Sequence, residues 1–232
     1  ATTEIYTLSL HDALPIYGEF TPVHSLAAVN RAICGELLAR GQDVRLVPSA
    51  TRTPAGSQVA LAPELVAAFR RDVKPTALVR HRWPPDFTPP AGNESFVLMQ
   101  PWEFGRLPRD WIEPILDRVD EVWAYTRSVE RAYVSSGIPA ERVKIVPPGV
   151  DPDRFRPGLA PLPLATKKSV KFLFVGGTIP RKGIDVLLAA YRAAFTAADD
   201  VCLVVKEFGA GTFYRGAPSE AQLAAHRALG DR

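Results

Sequence analysis

Residues 170–191 read VKFLFVGGTIPRKGIDVLLAAY. The run from Lys171 to Val175 is short, β-branched and aromatic, the composition of a buried strand. Ile184, Leu187, Leu188 and Tyr191 then recur at the spacing of one helical face. Gly176 and Gly177 lie between the two and predict a strand-to-helix turn, so the stretch reads as a βα unit of an α/β protein. At such a turn the first helical N–H groups are unpaired, and the helix dipole places roughly half a positive charge there. Arg181 and Lys182 add two full charges, which makes the turn an expected anion site.

Two phosphate motifs can be tested against these residues. GxGxxG fails because neither Thr178 nor Ile179 is glycine, and the Walker pattern fails because Lys182 is followed by Gly183 and Ile184. A nicotinamide-dependent enzyme with the dinucleotide fingerprint is therefore disfavoured. The plain alternative is a βα turn carrying two solvated cations.

Composition sets the outer limits. The 232 residues are 47% hydrophobic, with a mean hydropathy of −0.01, enough for one large or two small globular domains. Lys and Arg number 28 against 25 Asp and Glu, a net charge of +3 with no long basic block. That suits anionic substrates and argues against nucleic acid as a partner. Cys34 and Cys202 lie far apart in apolar segments and read as buried free thiols, so a reducing cytoplasm is the expected compartment. No apolar run reaches the roughly 18 residues of a transmembrane helix, and any membrane contact is expected to be peripheral. His11, His24 and His226 have no partner pattern, so no metal is expected. Nothing in the composition fixes an oligomeric state.

Taken in order, residues 1–16 show neither strand alternation nor a helical face, and they read as a non-native leader that replaces the first strand. From Tyr17 the pattern becomes regular: a loop with Gly18, a helix over Ser25–Arg40 with Leu26, Val29, Ile33 and Leu37 on one face, and a strand over Val44–Val47. A helix over 63–71 and a strand over 76–80 follow. His81 is expected where that strand leaves the sheet, because the prolines of HRWPPDFTPP exclude helix and central strand. Ser95–Gln100 predicts a strand whose exit is Pro101-Trp102-Glu103-Phe104-Gly105. A helix around Trp111–Val119, a strand over Glu121–Tyr125, a helix capped by Ser128 and ended by Gly137, and a strand over Val143–Val146 complete the series. Strands alternating with helices imply a doubly wound parallel sheet over residues 17–155. Prolines at 157, 161 and 163 mark 156–169 as a linker, and a second βα series opens at 170 and runs to 232.

The order Asp120-Glu121-Val122-Trp123, Tyr133 to Pro139, Val143 to Val146, and Pro148-Gly149-Val150-Asp151 followed by Phe155-Arg156-Pro157 is a familiar one. With Phe174-Val175-Gly176 and Lys182-Gly183 behind it, the chain from Tyr17 to about Tyr214 resembles the family 4 (group 1) retaining glycosyltransferases of the GT-B fold. The resemblance implies two Rossmann-like domains, the second incomplete here. For the full-length enzyme it implies transfer of a sugar from a nucleotide diphosphate to a glycan or other hydroxyl acceptor, with retained configuration, no cofactor and usually no metal. The family's arginine directly after the glycine is Gly177 here, so Arg181 beside Lys182 is expected to supply that charge. The chain stops before the acidic pair spaced eight apart that in the family binds donor sugar and ribose, and this piece alone is expected to be inactive.

On this reading Gly176, Gly177, Arg181 and Lys182 grip the donor diphosphate. The candidate catalytic residues are Glu103, which would bind an acceptor hydroxyl or sugar, and His81, which would hydrogen-bond acceptor or donor. Against them stand a helix-capping or ion-paired glutamate and a partly exposed histidine packed beside Trp83. Gly18, Trp102 and Lys206 are expected to line the cleft, with plain packing favoured for Trp102 and a solvated strand end for Lys206. A non-catalytic module that binds a glycan or protein partner is the competing reading, motivated by Gly177 and the missing acidic pair.

Overall fold

A computed structural model describes residues 13–49, 58–177 and 182–206. The chain divides into two compact units, 1–155 and 156–232.

The first unit alternates strands and helices. Its elements are β1 (Leu14–Gly18), α1 (Ser25–Ala39), β2 (Val44–Pro48), α2 (Pro63–Ala68), β3 (Ala77–His81), β4 (Ser95–Met99), α3 (Arg109–Arg118), β5 (Glu121–Ala124), α4 (Arg127–Ser135) and β6 (Val143–Ile145). The six strands form one sheet in the order β2-β1-β3-β4-β5-β6, and every pairing is parallel. The doubly wound sheet expected from the alternation is present, with helices packed on both faces.

Side-chain alternation divides the core in two. Leu14, Ile16, Val44, Leu46, Val79, Val97 and Met99 point to one face and pack with Cys34 of α1 and Leu65 of α2. Leu78, Phe96, Leu98, Val122 and Ala124 point to the other and pack with Ile115 of α3 and with Val129 and Tyr133 of α4. The strands are thus apolar on both sides, as a buried parallel sheet requires.

Several expectations need correction. Leu14–Ile16 lie in β1 and are buried, so a strand starts inside the stretch read as a leader, and Gly18 ends that strand instead of lying in a loop. Proline at position 15 masked the strand in the sequence, since a residue without an N–H is unusual in a strand flanked on both sides, as β1 is by β2 and β3. The buried stripe of α1 is Ala27, Asn30 and Cys34, with Val29, Ile33 and Leu37 only flanking the core. Small residues at 27 and 34 let the helix approach the sheet. The cap of α4 is Thr126, whose hydroxyl accepts from the Val129 N–H at 3.2 Å, and not Ser128.

The β3–β4 connection is pinned to the sheet by Arg80, which is 6% exposed. Its guanidinium carbon lies 4.9 Å from the Phe96 ring centre and 5.4 Å from that of Tyr17. Nη1 stands 3.2 Å from the Asp86 carboxylate and donates to the carbonyls of Asp86 and Thr88. Burial pulls the Arg80 pKa down, while Asp86 pulls it up.

In the second unit, β7 (Val170–Val175) pairs in parallel with β8 (Val201–Lys206), and α5 (Ile184–Ala194) lies between them in sequence. Ile184 and Leu188 of α5 are buried, with Phe174, Leu187, Leu203 and Val205 packed beside them. β7 was expected to be buried, yet Leu173 is 68% and Val175 62% exposed. The Phe172 ring packs against Tyr191 of α5 and against Phe195 just beyond it.

Candidate functional site

Strand order decides where a site can form. β1 lies between β2 and β3, so the chain runs outward from β1 to β2 and then crosses back to β3, and the β1/β3 pair is the switch point of the sheet. In open α/β sheets ligands bind beyond the carboxyl ends of the strands at such a point. Gly18 and His81 are the last residues of these two strands and stand opposite each other in register. A β-carbon on Gly18 would lie 2.3 Å from Asn30 Nδ2 and 2.4 Å from the His81 carbonyl oxygen. Glycine is needed there for close approach, whatever else the position does.

His81 is fully buried. Its Nδ1 lies 2.6 Å from Asn30 Oδ1, and its Nε2 lies 2.6 Å from the Tyr125 hydroxyl. Asn30 Nδ2 in turn donates to the carbonyls of Glu19 at 3.0 Å and His81 at 3.2 Å. Burial, with a small contribution from His24, lowers the His81 pKa to about 4, so the ring is neutral at pH 7. Burial also raises the Tyr125 pKa, so its phenol keeps its proton. The reading of a partly exposed histidine beside Trp83 is corrected, and while these bonds hold neither ring nitrogen is left for a ligand. Asn30 and Tyr125 were not singled out by the sequence reading. Their signal was present in Asn30: a polar residue three after Ala27 and four before Cys34 falls on the buried stripe of α1.

Beside this network His24 caps α1, its Nδ1 accepting from the Ala27 N–H at 3.3 Å. Its Nε2 lies 2.6 Å from the Glu19 carboxylate.

The exit of β4 carries Trp102 and Glu103. Trp102 is partly buried, donates its indole N–H to the Gly105 carbonyl at 3.0 Å and meets Trp111 and Phe104 edge-on at 5.0 and 5.1 Å. Trp83 continues the aromatic row at 5.8 Å from Trp111. Glu103 is exposed between them. Gln100, which precedes this exit, is fully buried, and its Oε1 has no hydrogen-bond partner. By strand alternation Gln100 shares the face of Phe96 and Leu98, opposite to that of His81.

In the second unit Gly176 and Gly177 follow β7 directly, and Gly177 is buried. The expected turn is longer than the glycine pair suggested: α5 starts at Ile184, and its N-cap is Gly183, in the left-handed conformation with φ 69°. Lys182, exposed, directly precedes that cap, so it is Lys182 and not the glycine pair that stands at the positive end of the helix. Arg181, and Glu207 and Gly209 after β8, lie outside the described residues. Lys206 ends β8 and is exposed. No group of three or more His, Cys, Asp or Glu side chains that could hold a metal occurs among the described residues.

Residues 57–154 match the model of Glycosyltransferase Family 4. The match begins before α2 and ends beyond β6, and it takes in the exits of β3, β4 and β5 where His81, Glu103 and Tyr125 stand. No curated protein matches the chain.

Proposed function

The chain carries a Glycosyltransferase Family 4 domain at residues 57–154, and from that premise we propose that it transfers a sugar from a nucleotide-diphosphate donor to a hydroxyl acceptor with retention at the anomeric carbon. The observation that carries this reading is the extent of the domain, which spans four of the six strand ends, those of β3 to β6, at the edge where an open parallel sheet receives ligands.

The chemistry assigns tasks to the residues. Breaking the bond from the anomeric carbon to the diphosphate builds negative charge on the leaving oxygens while the sugar becomes oxocarbenium-like, and fixed positive groups lower the barrier by meeting that charge. Lys182, with the N-terminus of α5 directly behind it, suits this task, and Arg181 is proposed to add a second cation. Gly176 and Gly177 let the backbone approach the phosphates. On the first unit Glu103 accepts a hydrogen bond from an acceptor hydroxyl. The donor is a substrate, and the reaction as proposed draws on no separate cofactor or metal. No helix among the described residues is long and apolar enough to cross a membrane; the reaction is assigned to the cytoplasm, with any membrane contact peripheral.

The test is calorimetric titration of the full-length protein with UDP-, GDP- and ADP-sugars, followed by transfer assays and determination of the product's anomeric configuration by NMR. Binding of one donor class and a retained product are expected; an inverted product refutes the stereochemical part. Lys182→Ala is expected to cost on the order of 3 kcal/mol in the transition state, roughly a hundredfold in kcat/KM. An unchanged kcat/KM removes Lys182 from the diphosphate role.

A further inference from the structure

The polarity of every hydrogen bond around His81 can be worked out from its ends. Asn30 Nδ2 faces two backbone carbonyls, those of Glu19 and His81, which only accept. The amide is therefore oriented with Oδ1 toward His81 Nδ1, since the flipped form would set an oxygen against two oxygens. Because Oδ1 only accepts, Nδ1 of the imidazole carries the proton. Nε2 of the neutral ring is then an acceptor, and the Tyr125 hydroxyl must donate to it. The one proton of the phenol is spent inward, and the oxygen keeps lone pairs that only accept.

Tyr125 directly follows β5 and is partly exposed, at the same carboxyl edge as Gly18 and His81. Its side chain reaches from the end of β5 past β4 to β3, so the phenol spans the strand ends inside the family-matched domain. We propose that Tyr125 is a specificity-determining contact of the acceptor site, taking a hydrogen bond from a sugar or polyol hydroxyl, and that Asn30 and His81 are positioning residues that fix it as an acceptor. The inference rests on the glycosyl-transfer reading for the identity of the ligand class. It accounts for a fully buried histidine with both nitrogens satisfied at the switch point, since His81 acts through Tyr125 and touches no substrate itself. A ligand that offers no hydrogen-bond donor at this position, such as an ether or a deoxy sugar, gains nothing from it.

The first measurement is the imidazole tautomer of the full-length protein labelled with nitrogen-15 histidine, read from long-range proton–nitrogen correlations and assigned with His81→Gln. His81 is expected as the Nδ1–H form. His24, whose Nδ1 accepts from the Ala27 N–H, is expected as the Nε2–H form and serves as an internal contrast. The second measurement titrates methyl glucoside, methyl mannoside and methyl galactoside while following the His81 Nε2 signal, because a hydroxyl donating to Tyr125 strengthens the bond from Tyr125 to Nε2. At least one glycoside is expected to shift that signal saturably. Tyr125→Phe, with its thermal midpoint measured alongside, is expected to weaken that binding at least tenfold, and Asn30→Asp to change the His81 tautomer or charge. The Nε2–H form at His81, no shift with any glycoside, or a binding constant unmoved in a folded Tyr125→Phe protein each overturns the proposal. These readouts need no turnover, so they stand apart from the transfer reading: a protein that shows the tautomer and the Tyr125-dependent shift but transfers no sugar refutes transfer and supports this site.

Discussion

Gly18 ends β1 directly opposite His81 on β3, and a β-carbon at position 18 would stand 2.4 Å from the His81 carbonyl oxygen and 2.3 Å from Asn30 Nδ2. One obstacle is backbone and the other is an amide held by three hydrogen bonds, so neither yields cheaply. Gly18→Ala is therefore expected to destabilise the first unit by about 1–3 kcal/mol, the usual cost of overpacking, after an offset of about 0.4–1 kcal/mol from the stiffer unfolded chain. Urea unfolding measures it. A wild-type midpoint with an unchanged slope would show that the strand ends separate freely.

Acid should find the same place. The folded-state pKa of His81 is lowered to about 4 by burial, against an ordinary value near 6.5. Below pH 6.5 the unfolded chain binds this proton and the folded chain does not, so stability falls as pH drops from about 6.5 toward 4 and levels off below. The full difference is about 3 kcal/mol, at about 1.4 kcal/mol per pH unit of separation. Urea midpoints at pH 7, 5.5 and 4 for the wild type and His81→Gln isolate this contribution, because the other titrating groups are common to both proteins. Equal slopes against pH in the two proteins would contradict the burial of a neutral ring.

How far the sequence carried the description depends on which force decided each feature. The alternation of β2 to β6 with α1 to α4 was legible because each strand is apolar and each helix periodic, and parallel pairing follows from the alternation itself. β1 was not, because proline has no N–H to give a neighbour and Pro15 therefore counts against a strand flanked on both sides, as β1 is. At the site, His81, Trp102 and Glu103 were singled out from their place at expected strand exits, whereas Gly18 was read as part of a loop and drew notice only through the family resemblance. Asn30 was hidden by its polarity, since a periodicity search rewards apolar positions and passes over a buried amide that is fully hydrogen-bonded. Tyr125 was read as the end of a strand, and its link to His81 joins positions 44 residues apart in the chain. The helical face was read from Ile184 onward, where α5 begins, but Gly176 and Gly177 placed the turn before it too early.

The two thiols should separate by reactivity. Cys34 sits on the buried stripe of α1, and burial pushes its pKa up to about 12, so almost no thiolate is present at pH 8. Cys202 in β8 is partly exposed. Iodoacetamide at pH 8 is expected to modify Cys202 well before Cys34, with Cys34 reacting only on the timescale of unfolding. Peptide mass spectrometry against labelling time reads both; Cys34 modified first would mean that α1 does not hold its place against β1 and β2.

Arg80 provides a test of what the β3–β4 connection rests on. Its guanidinium is buried between the rings of Phe96 and Tyr17, with Asp86 as its counter-charge and the carbonyls of Asp86 and Thr88 as acceptors. Removing the cation leaves Asp86 without its nearest partner and two carbonyls without a donor, whereas removing the stem also opens space beneath the rings. Asp86 is partly exposed and keeps Arg82 at 3.8 Å, so Arg80→Ala is expected to cost about 2–5 kcal/mol, mainly from truncating a large buried side chain. Arg80→Met, which keeps the apolar stem, should cost less. Both should speed hydrogen exchange in 82–94 more than in β5 or β6, because the lost bonds tie that connection alone. Wild-type stability and wild-type exchange in Arg80→Met would show that aromatic packing, and not the ionic and carbonyl bonds, holds the connection against the sheet.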